Sequence, residues 1–162
     1  MAIDIAKIIT LPDETGVNSV DNFIQDIQQE ALSSHEGRVK FQFLRQSLRA
    51  LSGVRKSDLP RGGNFYSQNL EIEVDGKSYT RPVKLIKDLS KQPVCELRIN
   101  IIEFDWQARI TFFPYPYEGQ LYYFLCFSFR KRLDEEDLTD ILKLDTYEVY
   151  QDVRVNPTKY IK

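Results

Sequence analysis

The first ordered signal in the hydrophobic pattern is a β-branched run. Ile3, Ile5, Ile8 and Ile9 fall within 3–10 and stop at the turn-forming stretch Leu11-Pro12-Asp13-Glu14-Thr15-Gly16, so 3–10 reads as a strand. Beyond it, Val20, Phe23, Ile24, Ile27 and Leu32 keep the i, i+3, i+4 spacing of one buried stripe, with Ser19 placed to cap and Asp21 and Asp26 suited to the positive amino end. The spacing predicts a helix over 20–33. Val39, Phe43, Leu44, Leu48 and Leu51 repeat it over 38–52, where Gly53 is positioned as a left-handed stop, and two short helices joined by a few residues make a hairpin.

The period then changes to two. After the loop Arg61-Gly62-Gly63-Asn64, Leu70, Ile72 and Val74 alternate with Glu71 and Glu73 and lead into Asp75-Gly76, a strong two-residue turn signal; a β-hairpin is expected over 69–80. Pro82 opens a short amphipathic segment, 83–90. Three apolar runs, 94–102, 108–113 and 121–129, follow with short connections and predict an antiparallel meander. Over 134–144, acids in the first turn and Leu138, Ile141 and Leu142 on one face predict a helix, and 145–162 reads as a loosely ordered tail. Helices segregated from strands make the expected class α+β: two amino-terminal helices packed on a small antiparallel sheet, one domain over 1–162, no internal repeat and no linker.

Composition narrows the function classes. With 42% hydrophobic and 28% charged residues in 162, the chain is long enough to bury a core without disulfides, and Cys95 and Cys126 sit in apolar runs away from the single His, so no metal or other cofactor is expected. No apolar stretch approaches the ~20 residues of a membrane helix and the first ten residues lack the pattern of a signal peptide, which predicts a cytoplasmic protein with no membrane partner. The net charge of -2 hides an asymmetry: 36–61 carries seven cations against two acids, whereas 133–162 carries four cations against eight acids. Any polyanion site is therefore local.

Five features could carry chemistry. The Arg61–Asn64 loop lacks the lysine of a phosphate-binding loop and reads as an ordinary loop; Glu96 and Glu103 read as solvated strand acids and His35 as an exposed interhelical residue. Tyr115 and Tyr117, alternating with Pro114 and Pro116, could stack on bases but read as packing. The informative set is cationic: Arg98, Arg109 and the run Arg130-Lys131-Arg132 lie on consecutive predicted strands, where guanidinium groups could converge on a phosphodiester. On spacing alone, surface cations paired with Glu96, Glu103 and Glu118 are the better reading.

The segment Lys84-Leu85-Ile86-Lys87-Asp88-Leu89 leading to Cys95-Glu96-Leu97-Arg98-Ile99, then Ala108-Arg109-Ile110-Thr111-Phe112-Phe113, then 121–129 with Arg130-Lys131-Arg132 and an acidic helix, resembles the RelE/ParE toxin superfamily, in its HigB-like, phage-derived branch. The resemblance covers roughly 20–150, with 69–80 as an inserted hairpin. It implies a metal-independent endoribonuclease acting on ribosome-bound mRNA and restrained by a cognate antitoxin. Arg98, Arg109, Arg130 and Lys131 would then be catalytic, joined by Arg132 in binding RNA. Phe127, Ser128 and Phe129 stand where the family places a His or Tyr, so weak or lost cleavage is expected; Tyr122, Tyr123, Lys131 or Glu96 are the substitutes for moving the proton. The alternative is a non-catalytic protein-binding module of the same fold, which predicts Arg98 and Arg109 held by Glu96 or Glu103.

Overall fold

The computed structural model describes residues 5–131 and 138–161, the Lys131 side chain excepted. Its elements are β1 (Lys7–Thr10), α1 (Ser19–Ala31), α2 (His35–Ser52), β2 (Phe65–Val74), β3 (Lys77–Lys91), β4 (Val94–Ile101), β5 (Trp106–Tyr117), β6 (Gln120–Lys131), α3 (Thr139–Val155) and α4 (Pro157–Tyr160). The chain is α+β. One six-stranded sheet runs in the order β1-β6-β5-β4-β3-β2, antiparallel throughout except for β1, which pairs parallel to β6.

Helices α1 and α2 cross one face between the two edges of this sheet, and their stripes supply Val20, Phe23, Ile27, Val39, Phe43, Leu44 and Leu51 to the main core beneath them. Leu44 belongs to this core, and half-buried Ile24 packs against it. The two helices approach closely at Gly37, where a Cβ would lie 2.3 Å from the backbone of Glu30; only glycine fits. Asn18, not Ser19, caps α1 by accepting from the Asp21 N–H, which frees the Ser19 hydroxyl to meet Ser128 on β6 (3.1 Å). Gly53 is right-handed (φ -90°): the chain does not reverse there but runs on into Val54 through a tightened last turn.

The sheet is larger than the expected three-stranded meander because three other segments join it. The segment 83–90 is no separate amphipathic element but the second half of β3, and the hairpin around Asp75-Gly76 belongs to the sheet, which β2 and β3 continue beyond β4. Left-handed Asp75 and Gly76 (φ 51° and 78°) close that hairpin, and Glu118 and Gly119 (φ 49° and 79°) close β5 onto β6 in the same way, so 114–117 belongs to β5 and not to a loop.

The loose tail expected over 145–162 is largely helical. α3 runs to Val155, and its inward stripe joins buried Thr146 and Val153 to half-buried Leu142, Val149 and Tyr150, with Leu138, Ile141 and Leu144 exposed. It packs on the opposite face from α1 and α2, over Phe113, Phe124 and Cys126. Arg132, the expected first turn of a helix at 134–137, and Ile3 at the start of the expected first strand lie outside the described residues. Among the described residues no helix is long and apolar enough to cross a membrane.

Candidate functional site

Strand alternation decides where the predicted cations go. In β4, Cys95, Leu97, Ile99 and Ile101 face the α1/α2 core, which turns Glu96 and Arg98 to the α3 side; in β5, Ala108, Ile110 and Phe112 face that core and turn Arg109 and Thr111 the same way. Arg98 and Arg109 are directly opposed across the β4–β5 ladder. They share a side of the sheet, as their strands require.

They also share a counter-ion. Glu96 Oε1 lies 3.6 Å from Arg109 Nε and 3.8 Å from Arg98 Nε, and Glu96 accepts from the Thr139 hydroxyl at the start of α3 (3.3 Å). Glu96 is thus not a solvated strand acid: at 3% exposure it sits under α3. Burial raises its pKa above the ordinary carboxylate value, and the attraction of Arg109, Arg98 and Lys87 only partly offsets that. Arg109 is equally buried, at 2% exposure. Its guanidinium donates to Asn100 Oδ1 (2.7 Å), Gln107 Oε1 (3.0 Å) and the Ala108 carbonyl (2.9 Å). It is a buried cation held in a polar layer, not an exposed one.

Arg130 does not join them. The bulge between Thr111 and Phe112 shifts the β5–β6 register, and Arg130 emerges on the α1/α2 face, 3.4 Å from Glu30 with its guanidinium 5.9 Å from the Phe23 ring. Glu30 also binds Lys40 (3.0 Å), which is buried over the Trp106 ring. Lys131 is described only by its backbone, paired with Gln107. The expected convergence of Arg98, Arg109 and Arg130 on one phosphate is therefore split between two faces.

The other candidates resolve through their partners. Gly63 in the Arg61–Asn64 loop donates its N–H to the buried carboxylate of Asp88 (2.8 Å), which Gln92 also reaches (2.9 Å); this loop amide serves an internal anion. Glu103 takes a bidentate grip from Arg81, which holds its pKa down to about 2. His35 is no idle connector: as the first residue of α2 it contacts Asp75 (2.7 Å) and Tyr79 (3.3 Å), tying the hairpin tip to the helix. Tyr115 packs on Tyr117 and Phe124. Of the proposed proton carriers on β6, Tyr123 is buried with its hydroxyl donating to the Val54 carbonyl (2.5 Å), and burial pushes its pKa up, away from use as a base.

Sequence reasoning missed one constellation. Phe65 at the start of β2 is exposed and ringed by cations, with Lys84 Nζ 4.7 Å, Arg98 Cζ 5.0 Å and Lys87 Nζ 5.7 Å from its ring. Only the register of β2 on β3 and β3 on β4 assembles it, since Phe65 opposes Lys87 and Lys87 opposes Glu96. A cavity of about 810 Å³ lies elsewhere, between the 12–16 loop and α3/α4, lined by Asp13, Glu14, Asp145, Glu148 and Asp152; none of the predicted cations borders it. No protein-family model, curated protein or solved structure matches the chain.

Proposed function

We propose that the chain is a non-catalytic protein-binding module. The observation that carries this reading is the engagement of Arg98 and Arg109 by one buried carboxylate, Glu96. Stabilising a phosphoryl transition state takes preorganised donors aimed at charge that develops during reaction. A guanidinium sunk to 2% exposure, with bonds to Asn100, Gln107 and Ala108, already spends its donors on the protein. What the same side of the sheet leaves open to a partner is the Phe65 patch beside the β2 edge.

The competing reading, a ribosome-dependent mRNA interferase of the RelE/HigB type with an antitoxin partner, draws on the direct cross-strand pairing of Arg98 with Arg109. Inducible expression in a bacterial host separates the two. A binding module leaves growth and mRNA ends unchanged. Growth arrest with new mRNA ends, abolished by Arg98→Ala in a variant that still folds by circular dichroism, would overturn the module reading; Arg98 is the better probe because Arg109 is built into the polar layer.

A further inference from the structure

β2 forms one edge of the sheet, and among the described residues no strand pairs with its outer side. It runs for ten residues, FYSQNLEIEV, without the Pro, Gly or Lys that commonly blunt an exposed edge. Leu70, Ile72 and Val74 are buried in the main core with α2, so one face of the strand is fixed. Phe65, Ser67, Asn69, Glu71 and Glu73 alternate on the other face and are exposed. Every second residue of an edge strand points its N–H and C=O outward without a ladder partner, which favours addition of another strand.

The charge along that exposed row is polarised. At its start Phe65 sits among Lys84, Lys87 and Arg98; at its end stand Glu71 and Glu73. In the β2–β3 register Lys87 lies beside Phe65 and Lys84 beside Ser67, whereas Glu71 and Glu73 lie beside the uncharged Thr80 and Ser78. Both ends therefore lack an opposite charge across their own hairpin.

We infer that β2 is the docking edge for a second copy of this chain, the two β2 strands pairing antiparallel about a twofold axis so that the acidic end of each meets the cation-ringed Phe65 of the other. The inference rests on the protein-binding reading and names the partner. A twofold axis along the sheet normal keeps the exposed rows on one side, and centring it at Asn69 makes the strands overlap over nearly their full length. Phe65 then faces Glu73 of the second copy, and Ser67 faces its Glu71. Rows across the seam read Lys87, Phe65, Glu73 and Lys84, Ser67, Glu71, and the symmetry writes each row twice. The Lys84 ammonium, held over Phe65, is already drawn toward the edge where these carboxylates arrive.

The test is a charge swap read by sedimentation. Glu71→Lys and Lys84→Glu each set like charges against one another in the homodimer, twice by symmetry, while an equimolar mixture of the two variants restores opposite charges across the Glu71–Lys84 rows. Lys87 is left alone because it faces Glu96. Wild-type protein should sediment at twice the 19.0 kDa chain mass, each variant should dissociate at least about tenfold more readily, and the mixture should recover the dimer. A wild-type chain that stays monomeric at about 100 μM, or swapped variants that self-associate like wild type, would overturn the inference. A monomer that leaves RNA uncut refutes the docking edge alone. A protein that cuts RNA refutes the module reading, whatever its mass.

Discussion

The two faces of the sheet are made from alternate residues of the same strands, and they bury different things. On the α1/α2 side the strands contribute Leu97, Ile99, Ala108, Ile110, Phe112 and Leu125 to a continuous apolar core. On the α3 side the row is mixed: Phe113, Phe124 and Cys126 lie under Val153, but alongside them Glu96, Arg109 and Thr111 are buried too, with Thr146 of α3 meeting Thr111. The first face is held by area removed from water, which needs little geometric precision. The second depends on satisfied polar groups, where losing one partner leaves another stranded. The contrast explains why helix packing was legible in periodicity and the chemistry was not.

Neighbouring phenylalanines give the largest expected effect. Phe112 and Phe113 are both fully buried but face opposite sides. Phe112→Ala should cost about 4 kcal/mol in urea denaturation and destabilise the sheet as a whole. Phe113→Ala should loosen α3 first, so that hydrogen exchange in 139–155 accelerates while β4 and β5 stay protected. Equal exchange of α3 and the strands in the Phe113 variant would mean that the two faces are one cooperative unit.

Next comes the polar layer. Arg109→Met removes the nearer cation from Glu96 and should cost about 3 kcal/mol at neutral pH. The cost should shrink on acidification, because a protonated Glu96 no longer requires the cation. Glu96 itself has a raised folded pKa, so the unfolded carboxyl ionises first as pH climbs. Its contribution to stability is therefore full below the unfolded value, near 4.5, and is lost as pH rises through the higher folded one. Glu96→Gln should abolish that decline; a pH profile unchanged by the substitution would show that another group sets it.

Smaller again is Thr146→Val, which keeps the shape and removes a hydroxyl that donates to the Leu142 carbonyl (2.6 Å) and meets Thr111 (2.7 Å); a loss of about 1 kcal/mol in thermal or urea unfolding is expected. The least expected effect lies outside both layers. Glu103, gripped by Arg81, is held down to about 2, so its contribution is present above 4.5 and lost as pH falls through about 2, opposite in sign to Glu96. Being partly exposed, the pair should be worth less than about 1 kcal/mol at neutral pH, and Glu103→Gln should chiefly blunt the acid limb of the stability profile.

How much of this was legible in the sequence can be followed residue by residue. Both helices form where apolar residues keep helical spacing, with bounds moved by a few residues, but the last member of the α1 stripe, Leu32, falls at the carboxyl cap and is exposed. The stripe of α3 is diluted by Thr146 and flanked by β-branched and aromatic residues of modest helix propensity, so it read as a tail. The second half of β3 mixes lysines with apolar residues because its α3-side row is partly open to solvent; that mixture resembles a short helix until β2 and β4 pair with it.

The sequence alone determined the class of the fold, the two helices on one face, the Asp75-Gly76 turn and the meander strands, because periodicity and turn chemistry are local and each segment carries its own signal. It also placed Arg98 and Arg109 on neighbouring strands. Only the tertiary structure decided their circumstances: one bulge in the β5–β6 ladder sends Arg130 to the far face, and the start of α3 closes over Glu96 and turns a strand acid into a buried counter-ion. Register and burial are set by residues distant in the chain. The same composition therefore reads as a row of surface cations or as a satisfied polar core until the strands are aligned.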